Sequence, residues 1–592
     1  MNFSSEELTT PNLSQLQFRL DTLRDAYHHG VTPRQVYQEF RRRLAAWADP
    51  ALFIHVAEEA DLEPLLTRLE SVPPTLPLYG IPFAIKDNID WEVLPTTASC
   101  PAYAYHPSKS ARVVERLIEA GAFPVGKTNL DQFAAGLVGT RSPYGTPRNA
   151  RGPQWIPGGS SAGSASAVAA GLVAFALGTD TAGSGRVPAG FQELVGCKPT
   201  RGWLSNQGVV PAVRSLDCVS LFTNSVAEAQ VLLKLLARHD PQDPWSREVL
   251  PRRTSLGPSL VLGVPKKSQW AFFGDHDYEK AYETVLEDWT RRGAQFKEFD
   301  FEPFRQAAKE LYEGPWLAER RVVVRDLWPH PEVFHPITRK VLEGTRSFLP
   351  EEVFEAGYRL KEIQTYAESL WSQFDALVLP TAPTLPTLEE VAANPLALNT
   401  RLGYYTNFVN LLDLSALALP GKRTPEGRPF GFTLLGGAGA DFQLLALGKI
   451  WETSQMPPWG ESVLAVAGAH LRGMPLNYQL TERGGHFLQE ARTAPHYQLF
   501  AFQDGQLLKP GVVRSSAPQS KSLEVELWDI PLAHWGSFTA QIPHPLGLGK
   551  LELSDGQWVT GFLLMPGYEG TLQDITHHGG WRKFLDRRNG TD

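Results

Sequence analysis

Cysteine is scarce in this chain: its 592 residues include three, Cys100, Cys197 and Cys218, and none of them stands in a C-x-x-C pattern. A small, odd number of cysteines argues against a disulfide framework and favours a reducing compartment. The N-terminal residues lack the basic and then apolar segments of a signal peptide. No stretch approaches the roughly 18 apolar residues that a membrane span requires. We therefore expect a soluble cytoplasmic protein.

The chain also lacks a basic block. Its 56 Lys and Arg residues are outnumbered by 64 Asp and Glu residues, which gives a formal net charge of −8. A mildly acidic chain is a poor candidate for nucleic-acid binding. Hydrophobic residues, in contrast, make up 42% of the sequence, which excludes a disordered chain and allows a large core. The composition favours a large globular protein, and its size favours an enzyme.

Apolar patterns divide the chain into regions. Apolar residues at helical spacing over 13–48 predict two helices, the second beginning at Thr32, an N-cap that is followed by a first-turn proline. From about residue 80 to residue 450, short apolar runs alternate with helical stretches. One run, Leu172–Leu177, fits either a strand or the end of a helix. This alternation indicates an α/β sheet covered by helices on both faces.

We interpret the Pro- and Gly-containing segment at 456–462 as a linker, because the sequence pattern changes after it. Beyond it, candidate strands such as Leu523–Leu527 and Trp558–Leu564 are separated by Gly and Pro. The sequence therefore predicts one domain over 1–455 and a smaller α+β domain over 463–592, a normal domain size.

One motif matches a nucleotide-binding pattern without the structural context that the pattern requires. Gly121–Thr128 matches the phosphate-binding pattern G-x-x-x-x-G-K-[ST]. A phosphate loop requires a strand before the first glycine and a helix after the lysine. Here the preceding residues have helical periodicity and Ala122–Val125 resembles a strand, so the order is reversed and we do not expect nucleotide binding.

Two Gly/Ser-rich loops form a stronger constellation. Gly158–Ser164 precedes an apolar helical run, and Thr179–Arg186 follows it. Either loop alone fits a flexible connection. A tight turn that enters a helix at Gly183 and Ser184 would direct backbone N–H groups at a developing oxyanion. A serine in that position could attack a carbonyl group if a base accepted its proton.

The base is not a histidine of these loops, because the nearest one is His106. Lys86 is the alternative, since it ends an apolar run, Gly80–Ile85, where burial would depress its pKa. A surface charge at the end of a strand is the competing interpretation of this lysine, and the residue by itself favours it.

The combination of Lys86, Gly-Gly-Ser160-Ser-x-Gly and Asp-x-x-Gly-Ser184 resembles the amidase signature family, and the spacing of the two serines also fits. Further stretches similar to that family are Gly139–Gly145, Gly196–Gly202, Gly208–Pro211 with Ser215–Asp217, and Phe374–Pro383. The resemblance covers roughly residues 50 to 450. It implies a mixed sheet covered by helices.

The resemblance also implies roles. Ser184 would be the acylated nucleophile, Ser160, commonly on a cis peptide in this family, would relay the proton, and Lys86 would be the final base. The oxyanion hole would be formed by the N–H groups of Thr181, Ala182, Gly183 and Ser184. Ala182 occupies a position at which glycine is commoner in this family. The replacement keeps the backbone N–H group, so no donor is lost. No metal and no organic cofactor is implied.

Other stretches resemble the allophanate hydrolase subfamily: Leu94–Ala98, Asp180–Ala189, Tyr312–Arg320 and Tyr404–Leu414. In that subfamily a Tyr and an Arg at the spacing of Tyr312 and Arg320 hold the carboxylate of the substrate. A guanidinium group suits this role because it can bind a carboxylate bidentately. The competing interpretation of Arg320, which adjoins Arg321, is a solvated charge on a helix.

The C-terminal region resembles the appended domain of the same subfamily, whose fold is similar to γ-glutamylcyclotransferase. The matching stretches are Ala465–His470, Gly473–Asn477, Arg492–Pro495 and Gly579–Arg582. The resemblance implies that this domain decarboxylates the amidase product with the help of a histidine. His470 is the candidate and His496 the alternative, although a lone histidine is more commonly structural.

These resemblances imply hydrolysis of allophanate (urea-1-carboxylate) to ammonia and N-carboxycarbamate by a Ser-Ser-Lys triad, followed by decarboxylation. We expect a homodimer that acts on this small molecule, with no nucleic-acid or membrane partner, linked to a urea carboxylase or to a cyanuric-acid or biuret pathway. One alternative is a general amidase or the glutamine-hydrolysing subunit of a tRNA amidotransferase. Another is a non-catalytic scaffold. The additional C-terminal module and Arg320 argue against the first alternative.

Overall fold

A computed structural model describes residues 12–252, 260–344, 348–453, 463–504, 507–515, 521–530, 532–554, 556–565, 568 and 570–589. The chain divides into two compact units. The first comprises Met1–Arg252 and Val261–Ser454, and the second comprises Arg253–Leu260 and Gln455–Asp592. The predicted linker at 456–462 lies outside the described residues.

The described part of the first unit contains an 11-stranded sheet with the order β1-β3-β2-β4-β6-β5-β10-β11-β9-β7-β8. The strands are β1 (Phe53–Val56), β2 (Pro82–Lys86), β3 (Phe123–Thr128), β4 (Phe175–Asp180), β5 (Val195–Lys198), β6 (Cys218–Thr223), β7 (Leu260–Pro265), β8 (Ala294–Phe299), β9 (Ala376–Pro380), β10 (Ser415–Pro420) and β11 (Gly431–Gly436). Strand β2 is parallel to β3 and β4, whereas the pairs that run from β4 to β9 are antiparallel. The sheet is therefore mixed, which confirms the predicted fold class.

Helices cover this sheet. They are α1 (Leu20–His28), α2 (Pro33–Trp47), α3 (Glu59–Glu70), α4 (Arg112–Glu119), α5 (Ala162–Ala169), α6 (Val187–Phe191), α7 (Val226–Leu236), α8 (His276–Arg291), α9 (Glu302–Tyr312), α10 (Trp316–Val323), α11 (Pro336–Glu343), α12 (Pro350–Leu370), α13 (Leu388–Ala393), α14 (Pro395–Leu402) and α15 (Asp441–Thr453). A capping box starts α2, because Thr32 and Gln35 each accept a hydrogen bond from the backbone N–H of the other. Residues 13–15 form a turn ahead of α1.

The centre of the sheet is buried on both faces. Every residue of β2, β3 and β4 is buried, and the rings of Phe83 and Phe175 stack on neighbouring strands with centroids 5.1 Å apart. Such strands require nearly continuous apolar runs. The ambiguous run Leu172–Leu177 enters strand β4 at Phe175.

The phosphate-loop match has the reversed order that the sequence predicts. Helix α4 precedes Gly121, and Lys127 lies within β3. The Lys127 ammonium group is fully buried, 3.2 Å from a carboxylate oxygen of Asp87. This lysine is therefore half of a buried ion pair in the sheet.

The second unit has smaller sheets. Its strands are β12 (Val463–Val466), β13 (His486–Arg492), β14 (Tyr497–Asp504), β15 (Leu507–Arg514), β16 (Glu524–Asp529), β17 (Leu546–Glu552), β18 (Trp558–Leu564) and β19 (Leu572–Asp574), and its helices are α16 (Tyr478–Thr481), α17 (Leu532–Thr539) and α18 (Trp581–Asn589). Five strands pair in the order β13-β16-β12-β18-β17 and three in the order β15-β14-β19. Leu464, Leu527 and Trp581 contribute to their common apolar core.

Across the described residues of both units, no helix has the length and apolar character needed to span a membrane.

Candidate active site

The site lies where two neighbouring parallel strands end. Lys86 is the last residue of β2, and the loop 181–186 follows the last residue of β4. Because β2 and β4 are parallel, their carboxyl ends meet at one edge of the sheet. Helix α5, which begins two residues after Ser160, packs against both strands. The fold thereby brings together three segments that are distant in the sequence.

Lys86 is buried completely, so it is not a surface charge. Its Nζ atom donates to Ser160 Oγ at 2.8 Å and to Thr179 Oγ1 at 2.7 Å. Burial lowers the pKa of Lys86 to about 7, and the nearby carboxylates of Asp131, Asp217 and Asp180 limit the decrease. A lysine with this pKa is substantially neutral near pH 7 and can accept a proton.

Ser160 is held by its backbone as well as by Lys86. The Gly159–Ser160 peptide bond is cis. The carbonyl oxygen of Ser160 accepts from the Asp131 N–H at 3.1 Å, and the Gly159 N–H donates to the carbonyl oxygen of Leu137 at 2.8 Å. The Asp131 carboxylate is fixed in turn by the N–H groups of Gly139, at 2.9 Å, and Arg141, at 2.8 Å.

The loop after β4 is shaped by Asp180. Its carboxylate receives two hydrogen bonds from the Arg186 guanidinium, both at 2.9 Å, and others from the N–H groups of Gly183, at 3.0 Å, and Gly185, at 2.9 Å. Burial alone would raise the pKa of Asp180, but the charge and hydrogen bonds of Arg186 outweigh it and the pKa is lowered. Arg186 also donates to the carbonyl oxygen of Thr406 at 3.3 Å. The loop is therefore a fixed structure.

Ser184 is at the centre of this loop and is 2% exposed. The N–H groups of Thr181, Ala182 and Ser184 donate to no acceptor among the residues that the structure describes. The N–H of Gly183 differs, because it donates to Asp180. The loop thus presents three unengaged donors beside the predicted nucleophile, and the fourth predicted donor stabilises the loop itself.

Asp217 supports the same loop from the other side. The Thr181 hydroxyl donates to its carboxylate, which also accepts from the N–H of Ala212 at 2.7 Å. Burial raises the pKa of Asp217 to about 6, against the opposing effect of these hydrogen bonds and of Arg320.

Arg320 is the least satisfied charged group near the site. It lies on α10 and is 4% exposed, so it is not a solvated charge. Its Nε and Nη1 atoms are buried and have no hydrogen-bond partner among the described residues. Its Cζ atom is 5.7 Å from the ring centroid of Tyr312, which packs in the same apolar cluster as Ala182 of the loop 181–186. A buried guanidinium with unpaired N–H groups is costly unless an anion binds it.

Sequence reasoning identified Lys86 and Ser160, which the structure brings into contact, but it missed the roles of Thr179, Asp131 and Asp217. These three act through hydrogen bonds to backbone groups or to Lys86, and their residue types are too common to signal such a role. Within the described residues, no group of three or more His, Cys, Asp or Glu side chains is arranged to hold a metal ion.

In the second unit, His470 lines a cavity of about 220 Å³. Its Nε2 atom lies 2.9 Å from Gln479 Oε1, and burial lowers its pKa. His496 is not among the lining residues; its carbonyl oxygen accepts from the Ser515 N–H at 2.7 Å.

The chain matches known proteins over most of its length. The amidase family model matches residues 42–445, and the model of the allophanate hydrolase C-terminal domain matches residues 462–586. The chain is 41% identical over 548 residues to urea amidolyase of Saccharomyces cerevisiae, which is 86% of this chain and 30% of that protein. It is 32% identical over 484 residues to a glutamyl-tRNA(Gln) amidotransferase subunit of Methylacidiphilum infernorum, which is 75% of this chain and 96% of that protein.

Among solved structures, the selenomethionine-substituted allophanate hydrolase of Kluyveromyces lactis superimposes with a TM-score of 0.76 at 37% identity, over 97% of this chain and 100% of that one. The chain spans about a third of the length of the urea amidolyases that it matches. Since the amidase model matches well over half of its residues, the chain belongs to the amidase family and carries an allophanate hydrolase C-terminal domain after the amidase region.

Proposed function

We propose that this chain hydrolyses allophanate to ammonia and N-carboxycarbamate. The observation that supports this substrate is the buried, unpaired guanidinium edge of Arg320 beside Tyr312. Allophanate is a urea with a carboxylate on one nitrogen, so a substrate that presents its terminal amide to Ser184 carries an anion to be neutralised elsewhere. Arg320 offers two donors for that carboxylate, and Tyr312 covers the guanidinium face.

The first half-reaction acylates Ser184. Its hydroxyl oxygen attacks the terminal amide carbonyl carbon while its proton passes to Ser160, whose own proton passes to neutral Lys86. The negative oxygen of the tetrahedral intermediate is stabilised by the N–H groups of Thr181, Ala182 and Ser184. The proton then returns through Ser160 to the leaving nitrogen, the C–N bond breaks, and ammonia departs.

The second half-reaction uses the same relay in reverse. A water molecule loses a proton to Ser160, whose own proton passes to Lys86, and the water oxygen attacks the acyl carbon. The C–O bond to Ser184 then breaks as the proton held by Lys86 returns through Ser160 to the Ser184 oxygen. The product, N-carboxycarbamate, then loses carbon dioxide with the help of the domain over 463–592, where His470 is the candidate residue. The domain over 1–455 carries the amidase chemistry.

We further propose that the protein is a cytoplasmic homodimer and that its substrate comes from a urea carboxylase or from a cyanuric-acid or biuret pathway. The similarity to urea amidolyases supports the link to urea.

The test is ammonia release from allophanate by the full chain and three variants. Ser184→Ala should lose activity, and Arg320→Ala should lower kcat/KM for allophanate by about 10²-fold, because a charged hydrogen-bond partner of the carboxylate is removed. Arg321→Ala is the matched control, since Arg321 is the next residue of the same helix and contacts Trp328 instead. Full activity of Ser184→Ala would contradict the mechanism, and normal hydrolysis by Arg320→Ala would contradict the substrate.

A general amidase or glutaminase activity is the competing function, supported by the similarity to the tRNA amidotransferase. Glutamine and a simple aliphatic amide, assayed beside allophanate, distinguish the two. If either gave a higher kcat/KM than allophanate in the wild type, the substrate assignment would be wrong while the role of Ser184 would stand.

A further inference from the structure

The cavity of the second unit combines an apolar wall with a few convergent polar groups. Phe538, Phe562 and Pro510 contribute apolar surface, and His470, Gln479 and Lys509 also line it. A cavity of about 220 Å³ suits a ligand of a few heavy atoms. Its charged and amide groups suit a small carboxylate, since both Lys and Gln side chains donate hydrogen bonds to carboxylate oxygens.

The His470 ring is held on three sides. It stacks on Phe562 with ring centroids 5.0 Å apart and an interplanar angle of 12°, and it meets the edge of Phe538 at 5.7 Å. Its Nε2 atom is 2.9 Å from Gln479 Oε1. An amide oxygen only accepts hydrogen bonds, so a hydrogen bond in this contact requires the tautomer that carries its hydrogen on Nε2 and leaves Nδ1 to exchange a proton. Nδ1 makes no hydrogen bond to any residue that the structure describes.

Hydrogen bonds in the turn between His470 and Gln479 fix the positions of the two residues relative to each other. It is the second residue of α16, and the turn between the two residues is closed by two hydrogen bonds. Asn477 Nδ2 donates to the carbonyl oxygen of His470 at 2.8 Å, and the Leu476 N–H donates to the carbonyl oxygen of Ala469 at 2.8 Å. The His470–Gln479 contact is therefore part of one small, closed turn.

We propose that Gln479 is a positioning residue that fixes His470 in the Nε2–H form and so presents Nδ1 to an N-carboxylated carbamate in this cavity. The inference rests on the proposed function, because the amidase step supplies that compound. In the reaction, the bond between nitrogen and one carboxylate carbon breaks and its electron pair stays on nitrogen. Nitrogen takes the proton of the imidazolium Nδ1–H, carbon dioxide leaves, carbamate remains, and His470 is reprotonated from water.

The electrostatics agree with this assignment. Burial lowers the pKa of His470, Gln479 counteracts this through its hydrogen bond, and Lys509 is the charged group whose field lowers it further. The arrival of a dianionic ligand opposes both effects and favours the protonated imidazole that the reaction consumes.

The experiment follows ammonia and carbon dioxide release by the full chain in the same reaction with allophanate. Gln479→Met keeps the side-chain length but removes the acceptor, and we expect it to slow carbon dioxide release by at least about tenfold. The first equivalent of ammonia, which the amidase step releases, should appear at the wild-type rate, whereas the second, which comes from carbamate, should be delayed together with carbon dioxide. Gln479→Glu retains an acceptor for Nε2–H, so it should preserve carbon dioxide release and shift its pH profile to higher pH. Gln573→Met, at an exposed position on β19, is the matched control.

The tautomer is measured directly by ¹⁵N NMR of histidine-labelled protein, with the His470→Ala spectrum used to assign the signal. We expect protonation at Nε2 in the wild type and a mixture of tautomers in Gln479→Met. Wild-type carbon dioxide release or an unchanged tautomer in Gln479→Met would overturn the positioning role. Unchanged carbon dioxide release in His470→Ala would overturn the use of this cavity. Absence of ammonia release by the wild type would instead contradict the proposed function.

Discussion

The ammonium nitrogen of Lys86 lies 2.8 Å from the hydroxyl oxygen of Ser160, and neither residue is exposed to solvent. A second hydroxyl, that of Thr179, lies 2.7 Å from the same nitrogen. The lysine therefore contacts neutral hydroxyl oxygens and, among the residues that the structure describes, makes no direct ion pair. Because no carboxylate of those residues contacts its ammonium group, burial lowers the pKa of the lysine, and its neutral form can accept a proton.

The first prediction concerns pH. Since the pKa of Lys86 is about 7 and its neutral form is the proposed base, kcat/KM should rise through pH 7 and level off above it. Lys86→Arg should be slower by roughly 10²–10⁴-fold and should not recover at alkaline pH, because arginine keeps its proton. The measurement is ammonia release between about pH 5.5 and about pH 9, a range that brackets the expected midpoint. A wild-type profile in Lys86→Arg would show that this lysine is not the base.

The second prediction concerns stability. In the folded chain the pKa of Lys86, about 7, lies below the ordinary value of 10.5, so between these values the unfolded chain binds the additional proton. The contribution of Lys86 to the free energy of unfolding therefore increases with pH across this window. Lys86→Met should be inactive yet more stable at pH 7, by roughly 1–4 kcal/mol. Urea unfolding at about pH 7 and about pH 9 tests this, because the advantage of the variant should shrink at the higher pH.

The third prediction concerns Asp131. Its carboxylate accepts two backbone N–H groups, and its charge raises the pKa of Lys86 against the effect of burial. In Asp131→Asn that charge is lost, so the midpoint of the rate profile should move to lower pH and kcat/KM at the plateau should fall as Ser160 shifts. Asp21→Asn, at an exposed position on α1, is the control. An unchanged midpoint would mean that Asp131 is only a structural residue.

The fourth prediction concerns Gly159. A Cβ atom at this position would lie 2.1 Å from a carboxylate oxygen of Asp131 and 2.5 Å from the Gly139 nitrogen. Gly159→Ala should therefore displace the Ser160 backbone, lower activity and reduce the free energy of unfolding by about 1–3 kcal/mol.

Gly357 supplies the contrast for that variant. It lies on α12 with nothing within 4 Å of an added Cβ atom, so Gly357→Ala should stabilise the chain by about 0.5–1 kcal/mol and leave activity intact. Equal effects of the two substitutions in thermal unfolding and in ammonia release would refute the steric argument.

The sequence predicts the mixed sheet well where local pattern is strong. The apolar runs that become β2 and β9 reflect burial on both faces, and that burial leaves a signature in consecutive residues. The run that enters β4 is equally buried, but its sequence also fits the end of a helix. The antiparallel centre of the sheet leaves no such signature. There β5 pairs with β10, which lies far along the chain, and only the folded structure reveals that partner.

The site was predictable to a similar extent. Lys86 could be singled out because it ends an apolar strand, but its contact with Ser160 depends on how β2 and β4 pair. The Gly183 N–H shows the limit of a motif. Its position beside Ser184 suggests an oxyanion donor, yet this N–H group donates its hydrogen bond to the carboxylate of Asp180. Arg320 shows the same limit, since sequence alone favours exposure for an arginine next to another arginine.

The partners of Arg186 have a consequence for biosynthesis. Arg186, which holds the loop 181–186 through Asp180, donates a hydrogen bond to the carbonyl oxygen of Thr406. Strand β5, which pairs with β6 on one side, pairs on its other side with β10. A ribosome-bound chain that has already produced Lys86, Ser160 and Ser184 still lacks these later residues. The candidate active site is thus assembled late in translation, and a truncated chain that ends before Thr406 is expected to carry Lys86, Ser160 and Ser184 without the contact that holds the loop 181–186 in place.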